Sequence, residues 1–254
     1  MQFIYYKDCP NAEITLEGKD FHYIFGVRRE SKQIGKTFKF ANLKDNRIYF
    51  YALKEINKKM ATFKIIDLEG IIQDYTNLLD SKISNLDSTN PNDLNAIILK
   101  AQKIALNPPK THIIQAIIDN NDFDKILPFL NELYVDKITL FYADFSQRNQ
   151  KINLERLTNI LINSSMQCGR LDLMKIEVFN NLDSVLEAYK NCFALDFGCE
   201  IIDNLKDKNS FIIGAEGGFS KRERELLKEC SFSINHPLIL KSQTASIFIA
   251  SQKI

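Results

Sequence analysis

The sequence predicts an α/β protein in two parts: a small β-barrel unit, then a mostly parallel sheet with helices on both faces. Three observations carry this. Residues 1–70 hold closely spaced short runs of aromatic and β-branched residues, the signature of a small barrel. Residues 73–92, QDYTNLLDSKISNLDSTNPN, are polar and rich in Asn, Asp and Ser, which reads as a linker or an insertion. Beyond Lys110, apolar strand-like runs alternate with helical spacing, the pattern of a parallel sheet closed by crossover helices.

In the first part the expected strands are Phe3–Tyr6, Lys36–Ala41, Arg47–Leu53 and Ala61–Ile66, with Gly35 and Lys44-Asp45-Asn46 supplying turns, and Lys19–Glu30 reads as a helix. Leu94–Leu106 is apolar with helix and strand both open, and stops at Asn107-Pro108-Pro109. In the second part the strands are Thr111–Ile118, Lys137–Tyr142, Lys175–Phe179, Cys192–Phe197 and Ser210–Gly214. The helices are Phe123–Tyr134, with apolar Ile126, Leu127, Leu130 and Leu133 on one face, then Leu154–Cys168, Leu182–Tyr189, Lys221–Cys230 and Thr244–Lys253. The domains are expected at 1–75 and 76–254, with 76–109 the linker or insertion.

Composition narrows the function. Hydrophobic residues are 45% and charged residues 26% of 254, ordinary for a globular protein. No apolar run approaches the ~18 residues of a membrane span, and MQFIYYKDCP is not a secretory signal, so a cytoplasmic protein is expected. Five cysteines without C-x-x-C spacing and three histidines without metal spacing argue against a disulfide framework or a metal site. No Walker loop and no G-x-S-x-G elbow is present. Net charge is +1, yet residues 1–70 hold 13 Lys and Arg against 9 Asp and Glu, leaving 20 against 23 for the remainder. That split of +4 against −3 puts a polyanion site nearer the N-terminus, where His22, Arg28, Arg29, Lys32 and Lys36 cluster. A solvated lysine-rich surface is the competing account of the same charges.

Two segments carry the sharper signals. Phe211–Ser220, FIIGAEGGFS, is an apolar strand ending in Gly214-Ala215-Glu216-Gly217-Gly218 and leading into a charged helix. Ligands of parallel α/β sheets bind at the carboxyl ends of strands, and glycines there let backbone approach a ligand closely. Neither a dinucleotide G-x-G-x-x-G nor a phosphate loop fits the spacing. Asn235–Ile249, NHPLILKSQTASIFI, is a second loop that opens a final helix, with Ser242 or Thr244 as its expected cap. The two loops are expected to wall one pocket.

These residues resemble the RsmE family of 16S ribosomal RNA uridine-N3 methyltransferases, in the SPOUT class. The family's G-P-E-G-G-F/L-[ST]-x-x-E is matched by Gly214 to Ser220 with Glu223, and its L-G-x-R-I-L-R-x-E-T-A by Asn235 to Ala245. Three further elements align: His22, Val27 and Arg28; Leu130 to Val135; and Met166-Gln167-Cys168-Gly169-Arg170. The order and spacing cover most of the chain. Departures from the pattern are Ala215 for Pro, His236-Pro237-Leu238 for Gly-x-Arg, Lys241-Ser242-Gln243 for Arg-x-Glu, and Phe129 for Lys.

The resemblance implies a PUA-like β-barrel followed by a trefoil-knotted SPOUT domain, working as a homodimer on 16S ribosomal RNA of the small subunit. It implies S-adenosylmethionine as methyl donor, held by Leu195, Asp196, Phe197, Gly214, Glu216, Gly217, Gly218, His236, Pro237, Leu238, Ile239, Leu240, Gln243 and Thr244. Gly217 is expected on the pocket wall, with no room for a side chain. Arg170 is expected near the acceptor base, favouring its anion, or on a phosphate, and Gln167 on the base edge. His22, Arg28, Arg29, Lys32 and Lys36 would dock RNA. Two other readings stay open: an RNA-binding relative that does not catalyse transfer, and a dinucleotide-dependent oxidoreductase.

Overall fold

The computed structural model describes residues 1–66, 110–147 and 151–253. The chain divides into two compact units, Met1–Pro108 and Pro109–Ile254. The expected boundary near residue 75, the polar stretch 73–92 and the apolar run Leu94–Leu106 lie outside the described residues.

The first unit is one curled five-stranded sheet, a half-barrel. Its strands are β1 (Ile4–Tyr5), β2 (Glu13–Glu17), β3 (Thr37–Ala41), β4 (Tyr49–Ile56) and β5 (Met60–Ile65), in the order β1-β3-β4-β5-β2. β1 runs parallel to β3 and the other pairs are antiparallel. Among the described residues no ladder joins β1 to β2, so the sheet curls without closing. Strand β2 is additional to the expected strands, although Glu13-Ile14-Thr15-Leu16-Glu17 alternates strictly, with Ile14 and Leu16 buried and the other three exposed. The helix expected over Lys19–Glu30 is shorter: α1 (Gly18–Phe21) runs straight into a π-helical turn, His22–Val27. An aromatic cluster fills the concave face. Phe63 meets Phe38 and Phe40 edge-on at 5.2 Å each, and Phe40 meets Tyr51 at 5.0 Å. The Tyr51 hydroxyl accepts from Asn11 N and donates to Asn11 O, so this buried phenol is satisfied.

The second unit is a six-stranded parallel sheet. Its strands are β6 (His112–Ala116), β7 (Lys137–Phe141), β8 (Lys175–Phe179), β9 (Phe193–Leu195), β10 (Ser210–Ile213) and β11 (Ser231–Phe232), in the order β11-β9-β10-β6-β7-β8. The helices are α2 (Asn120–Glu132), α3 (Leu154–Cys168), α4 (Leu182–Ala188), α5 (Lys221–Leu227) and α6 (Ser242–Ser251). Asp119, Asn153, Asn181 and Ser220 cap the first four with side-chain oxygens, each satisfying a backbone N–H that the helix leaves open. Period-two alternation along the strands splits the core in two. Ile113, Ile138, Phe211 and Ile213 face a layer holding Leu127, Leu161 and Ile249 of α2, α3 and α6. Ile114, Phe141, Ala194 and Ile212 face the opposite layer, with Val185 of α4 and Leu227 of α5. Strand β11 is also additional, because two residues carry too little periodicity to be read.

The last helix decides the architecture. The chain leaves edge strand β11 and returns to seat α6 against β6, β10 and α2 at the centre of the sheet. Helix α6 begins at Ser242, not Thr244, and neither hydroxyl caps it; Lys241 is the N-cap residue and gives no side-chain cap. Ser242 is used otherwise. Its Oγ donates to Gly214 O at 2.5 Å and accepts from Gln115 Nε2 at 2.8 Å. Gln115 is fully buried in β6; its Nε2 also donates to Ala116 O, and its Oε1 accepts from Ser246 Oγ. At the far end Lys253, 4% exposed, donates to the carbonyls of Leu205 (3.1 Å) and Lys206, fastening the end of the described chain to the 196–209 connection.

At the other end of the sheet His112 is buried, with Nε2 2.8 Å from Thr139 Oγ1 and Nδ1 3.3 Å from Ser210 Oγ. Tyr189 stands edge-on to its ring at 4.7 Å, and Lys137 and Glu177 pair beside it at 2.7 Å. Burial, then the Lys137 ammonium, hold its pKa down at about 4. The unfolded chain takes up this proton near pH 6.5 and the folded chain only near 4. Stability is therefore full above the unfolded value and falls across that window, by about 3 kcal/mol at ~1.4 kcal/mol per pKa unit. Urea unfolding of the protein and of His112→Gln between pH 7 and 4 checks this: the variant is expected to show the shallower decline, and equal slopes would assign the acid loss to carboxylates.

Candidate active site

A cleft of about 360 Å³ opens where three neighbouring strands end. Strand β9 delivers Leu195-Asp196-Phe197, β10 delivers Gly214-Ala215-Glu216, and the segment after β11 delivers Ser233 and residues 236–240. This is the carboxyl edge of a parallel sheet, where connections leave room for a ligand. The volume lies in the range of small-molecule sites, about 300–1,000 Å³.

Each wall has a local cause. In the glycine loop, Gly218 N donates to Ala215 O at 2.9 Å, and Gly218 adopts φ +72°. A Cβ on Gly214 would stand 3.1 Å from the Gly218 carbonyl carbon, so the absence of a side chain there lets the loop close tightly on itself. A capping box fastens the same loop to α5: Ser220 Oγ accepts from Glu223 N, and Glu223 Oε2 accepts from Ser220 N. Glu223, 1% exposed, also accepts from Asp144 N, which draws in the loop after β7. On the β9 wall Asp196, 7% exposed, is clamped by Arg224: Nε donates to Oδ2 at 2.7 Å and Nη2 to Oδ1 at 3.2 Å. Ser233 Oγ donates to Asp196 O at 2.7 Å, tying the β11 segment to the β9 end. On the third wall His236 Nδ1 lies 2.8 Å from Leu238 O and its ring meets Phe248 of α6, so His236 braces its own loop. Phe197, Leu238 and Ile239 leave their apolar faces exposed at the mouth.

The residues expected to hold the donor separate into two groups. Leu195, Asp196, Phe197, Gly214, Glu216, Gly218, His236, Pro237, Leu238, Ile239 and Leu240 all line the cleft. Gly217, Gln243 and Thr244 do not. A Cβ on Gly217 would stand 3.2 Å from the Phe145 ring, so this glycine lets Phe145 pack close. Thr244 is exposed on α6. Gln243 reaches across, its Nε2 donating to Asp122 Oδ2 at 3.0 Å and to Glu216 Oε1 at 3.4 Å. Sequence reading misses Cys199, Ile201 and Ser233 on the walls and Arg224 behind Asp196. Only Arg224, on the exposed face of a charged helix, has a chemical signal, and its partner lies 28 residues away.

Arg170 does not line this cleft. It is 4% exposed at the end of α3; Nη1 donates to Val135 O at 2.7 Å and to Asn131 O, while Nε and Nη2 pair with Asp172. Its guanidinium also lies 4.5 Å from the Tyr134 ring centroid. Gln167, near the end of α3, is exposed. In the first unit His22, Arg28, Arg29 and Lys32 are exposed and Lys36 half-buried; Arg28 stacks on Tyr23 and bonds its hydroxyl at 2.7 Å, and Lys36 pairs with Glu30 at 3.0 Å.

The RNA methyltransferase domain family matches residues 105–253. Two proteins from strains of Helicobacter pylori, each a ribosomal RNA small subunit methyltransferase E, are 37% and 36% identical to the chain over 256 residues, covering 99% of it and 98% of each relative. The chain belongs to the ribosomal RNA small subunit methyltransferase E family. Its fold matches a Legionella pneumophila methyltransferase solved with bound SAM, at TM-score 0.70 and 22% identity over 98% of this chain and 95% of that one. It also matches the family's Neisseria gonorrhoeae protein bound to S-adenosyl methionine, at TM-score 0.68 and 16% identity over 99% and 95%. The half-barrel followed by the parallel SPOUT sheet is thus the architecture of this chain.

Within the family pattern, one departure has a physical account. Gln243 stands where a glutamate is usual, between Asp122 and Glu216. A third carboxylate there would face two others, whereas the amide donates to both. The Ser242 hydroxyl beside it joins Gln115 to Gly214. Ser242→Ala is expected to lower stability by about 1–3 kcal/mol, the cost of unmaking a buried hydrogen bond, and to weaken ligand binding in the cleft because Gly214 loses its anchor. Denaturant unfolding and calorimetry on the variant check both parts.

Proposed function

We propose that this chain transfers a methyl group from S-adenosylmethionine to N3 of a uridine in 16S ribosomal RNA. One observation carries the donor assignment: the described residues lining the cleft include two carboxylates, Asp196 and Glu216, and no lysine or arginine. A dinucleotide or other phosphate ester would meet that lining without a counter-charge. A sulfonium cation with an apolar purine suits it, with Glu216 for the charge and Phe197, Leu238 and Ile239 for the ring. This also weighs against the oxidoreductase reading. When bound, the donor supplies a methyl group already activated by the positive sulfur.

The chain's own contribution is position and charge. The braced loops fix the donor's place, and the N3 proton must leave a base held out of any Watson–Crick pair. Gln167 is exposed and able to meet a base edge. Arg170, being spent on the carbonyls of Asn131 and Val135 and on Asp172, acts in this reading by positioning the α3 terminus. The first unit docks RNA through Arg28, Arg29, Lys32 and Lys36 with His22, on the basic half of the chain. We place the reaction in the cytoplasm, where ribosomal RNA is assembled; no helix among the described residues is long and apolar enough to cross a membrane. A homodimer is part of this reading, with the exposed Phe129 as the surface that favours it.

Calorimetry is expected to show binding of S-adenosylmethionine and none of NAD. Incubation with 16S ribosomal RNA or small subunits from cells lacking the gene is expected to yield methyluridine, read by mass mapping. Donor binding without methylation would favour a non-catalytic RNA-binding relative.

Arg28→Ala with Arg29→Ala is expected to weaken RNA binding and flatten its salt dependence, by a slope of roughly 0.7–0.9 for each phosphate no longer neutralised, leaving donor affinity unchanged. Wild-type affinity and slope in the double variant would move the docking surface elsewhere.

A further inference from the structure

We propose that Asp196 reads a ribose hydroxyl of the donor, and that Arg224 is the positioning residue that makes it an acceptor instead of a partner for the sulfonium. The inference rests on the donor reading above. The two carboxylates of the cleft are not equivalent. Glu216 is exposed and accepts from the neutral amide of Gln243 at 3.4 Å. Asp196 is 7% exposed and carries a guanidinium on both oxygens. A charge cancelled in this way attracts a second cation weakly, but the oxygens keep their lone pairs. A carboxylate offers about four acceptor positions. Phe197 N and Arg224 Nη2 take two on Oδ1, and Arg224 Nε takes one on Oδ2, leaving Oδ2 able to accept once more. An acceptor-only group at a strand end, short of one donor, matches a sugar hydroxyl, the use to which a strand-end carboxylate is put in other nucleoside sites.

Its surroundings set the direction of the ligand. Phe197 follows Asp196 directly, and Ile201, Leu238 and Ile239 complete an apolar mouth. A purine between those faces puts the attached ribose beside Asp196. The sulfonium end then points toward Glu216, on the side of α6 and α2 where Gln243 bridges to Asp122. The nucleoside is thus held at the β9 wall and the reacting sulfur at the β10 wall.

A double-mutant cycle between protein and ligand tests this. Asp196→Asn keeps the outline; Phe197 N and Arg224 Nη2 hold the amide oxygen at the Oδ1 position, which puts the NH2 group, a donor, at the Oδ2 position and gives up the Arg224 Nε bond. Calorimetry compares S-adenosylmethionine, S-adenosylhomocysteine and the 2′,3′-dideoxyribose form of S-adenosylhomocysteine. The unaltered protein is expected to bind the dideoxy form about 10- to 100-fold more weakly than S-adenosylhomocysteine, the range of a hydrogen bond to a charged group. Asp196→Asn is expected to lose that discrimination, and to weaken on S-adenosylmethionine and S-adenosylhomocysteine by equal factors. Arg224→Ala, which keeps the carboxylate but frees its charge, is expected to raise the preference for S-adenosylmethionine over S-adenosylhomocysteine. Equal losses on the ribose and dideoxy forms would overturn the proposal, making Asp196 a loop brace only. A loss confined to S-adenosylmethionine would also overturn it, assigning the carboxylate to the sulfonium. Failure of the unaltered protein to bind any of the three would overturn the donor reading itself.

Discussion

The second unit depends on one buried hydrogen-bonded chain: Gln115 in the centre of β6, the hydroxyls of Ser242 and Ser246 on α6, and the carbonyl of Gly214 at the end of β10. A fully buried amide in a parallel strand is costly unless every polar atom is paired. Gln115 is satisfied only if α6 returns to the middle of the sheet with its serines facing β6. The same contact holds the glycine loop in place. Packing alone would let an apolar helix slide or rotate on an apolar sheet; this chain of donors and acceptors fixes one position.

That constraint links architecture to chemistry. The cleft exists because three connections end side by side at the carboxyl edge of β9, β10 and β11, and each is tied to a neighbour by a specific contact. Ser233 joins the β11 segment to Asp196, Glu223 joins the glycine loop to the β7 loop, and Lys253 fastens the segment after α6 to the 196–209 connection. The walls are mostly backbone and apolar side chains, so the cleft's selectivity comes from few groups. Its acidity rests on the exposed Glu216, since Arg224 pairs with both oxygens of Asp196 from behind the wall.

The charged network around Arg170 plays a different part. Arg170 ties Asn131, Val135 and Asp172, linking the ends of α2 and α3. Burying a guanidinium requires that its donors be met, and here Nε, Nη1 and Nη2 each have a partner. An arginine after a turn glycine reads the same in sequence whether its guanidinium faces an acceptor base or folds back on carbonyls 35 and 39 residues earlier. Gly217 poses the same difficulty: its place in a glycine run suggests a ligand wall, and the neighbour it spares is Phe145, from another strand's loop.

Local physics makes much of this protein legible from sequence alone. The alternation of strands and helices beyond Lys110 and the two loops that wall the cleft follow from periodicity and glycine placement, both properties of neighbouring residues. The motif from Gly214 to Ser220 and the aligned elements around it are enough to identify the family. Strand β2 is readable as well, since Glu13 to Glu17 alternates without exception. What only the tertiary structure decided involves partners far apart in the chain: Arg224 on Asp196, Gln243 between Asp122 and Glu216, Ser242 between Gln115 and Gly214, and the inward turn of Arg170. A side chain's donors are fixed by its type, but which acceptor they meet depends on where the sheet order brings distant segments together, and no local pattern encodes that.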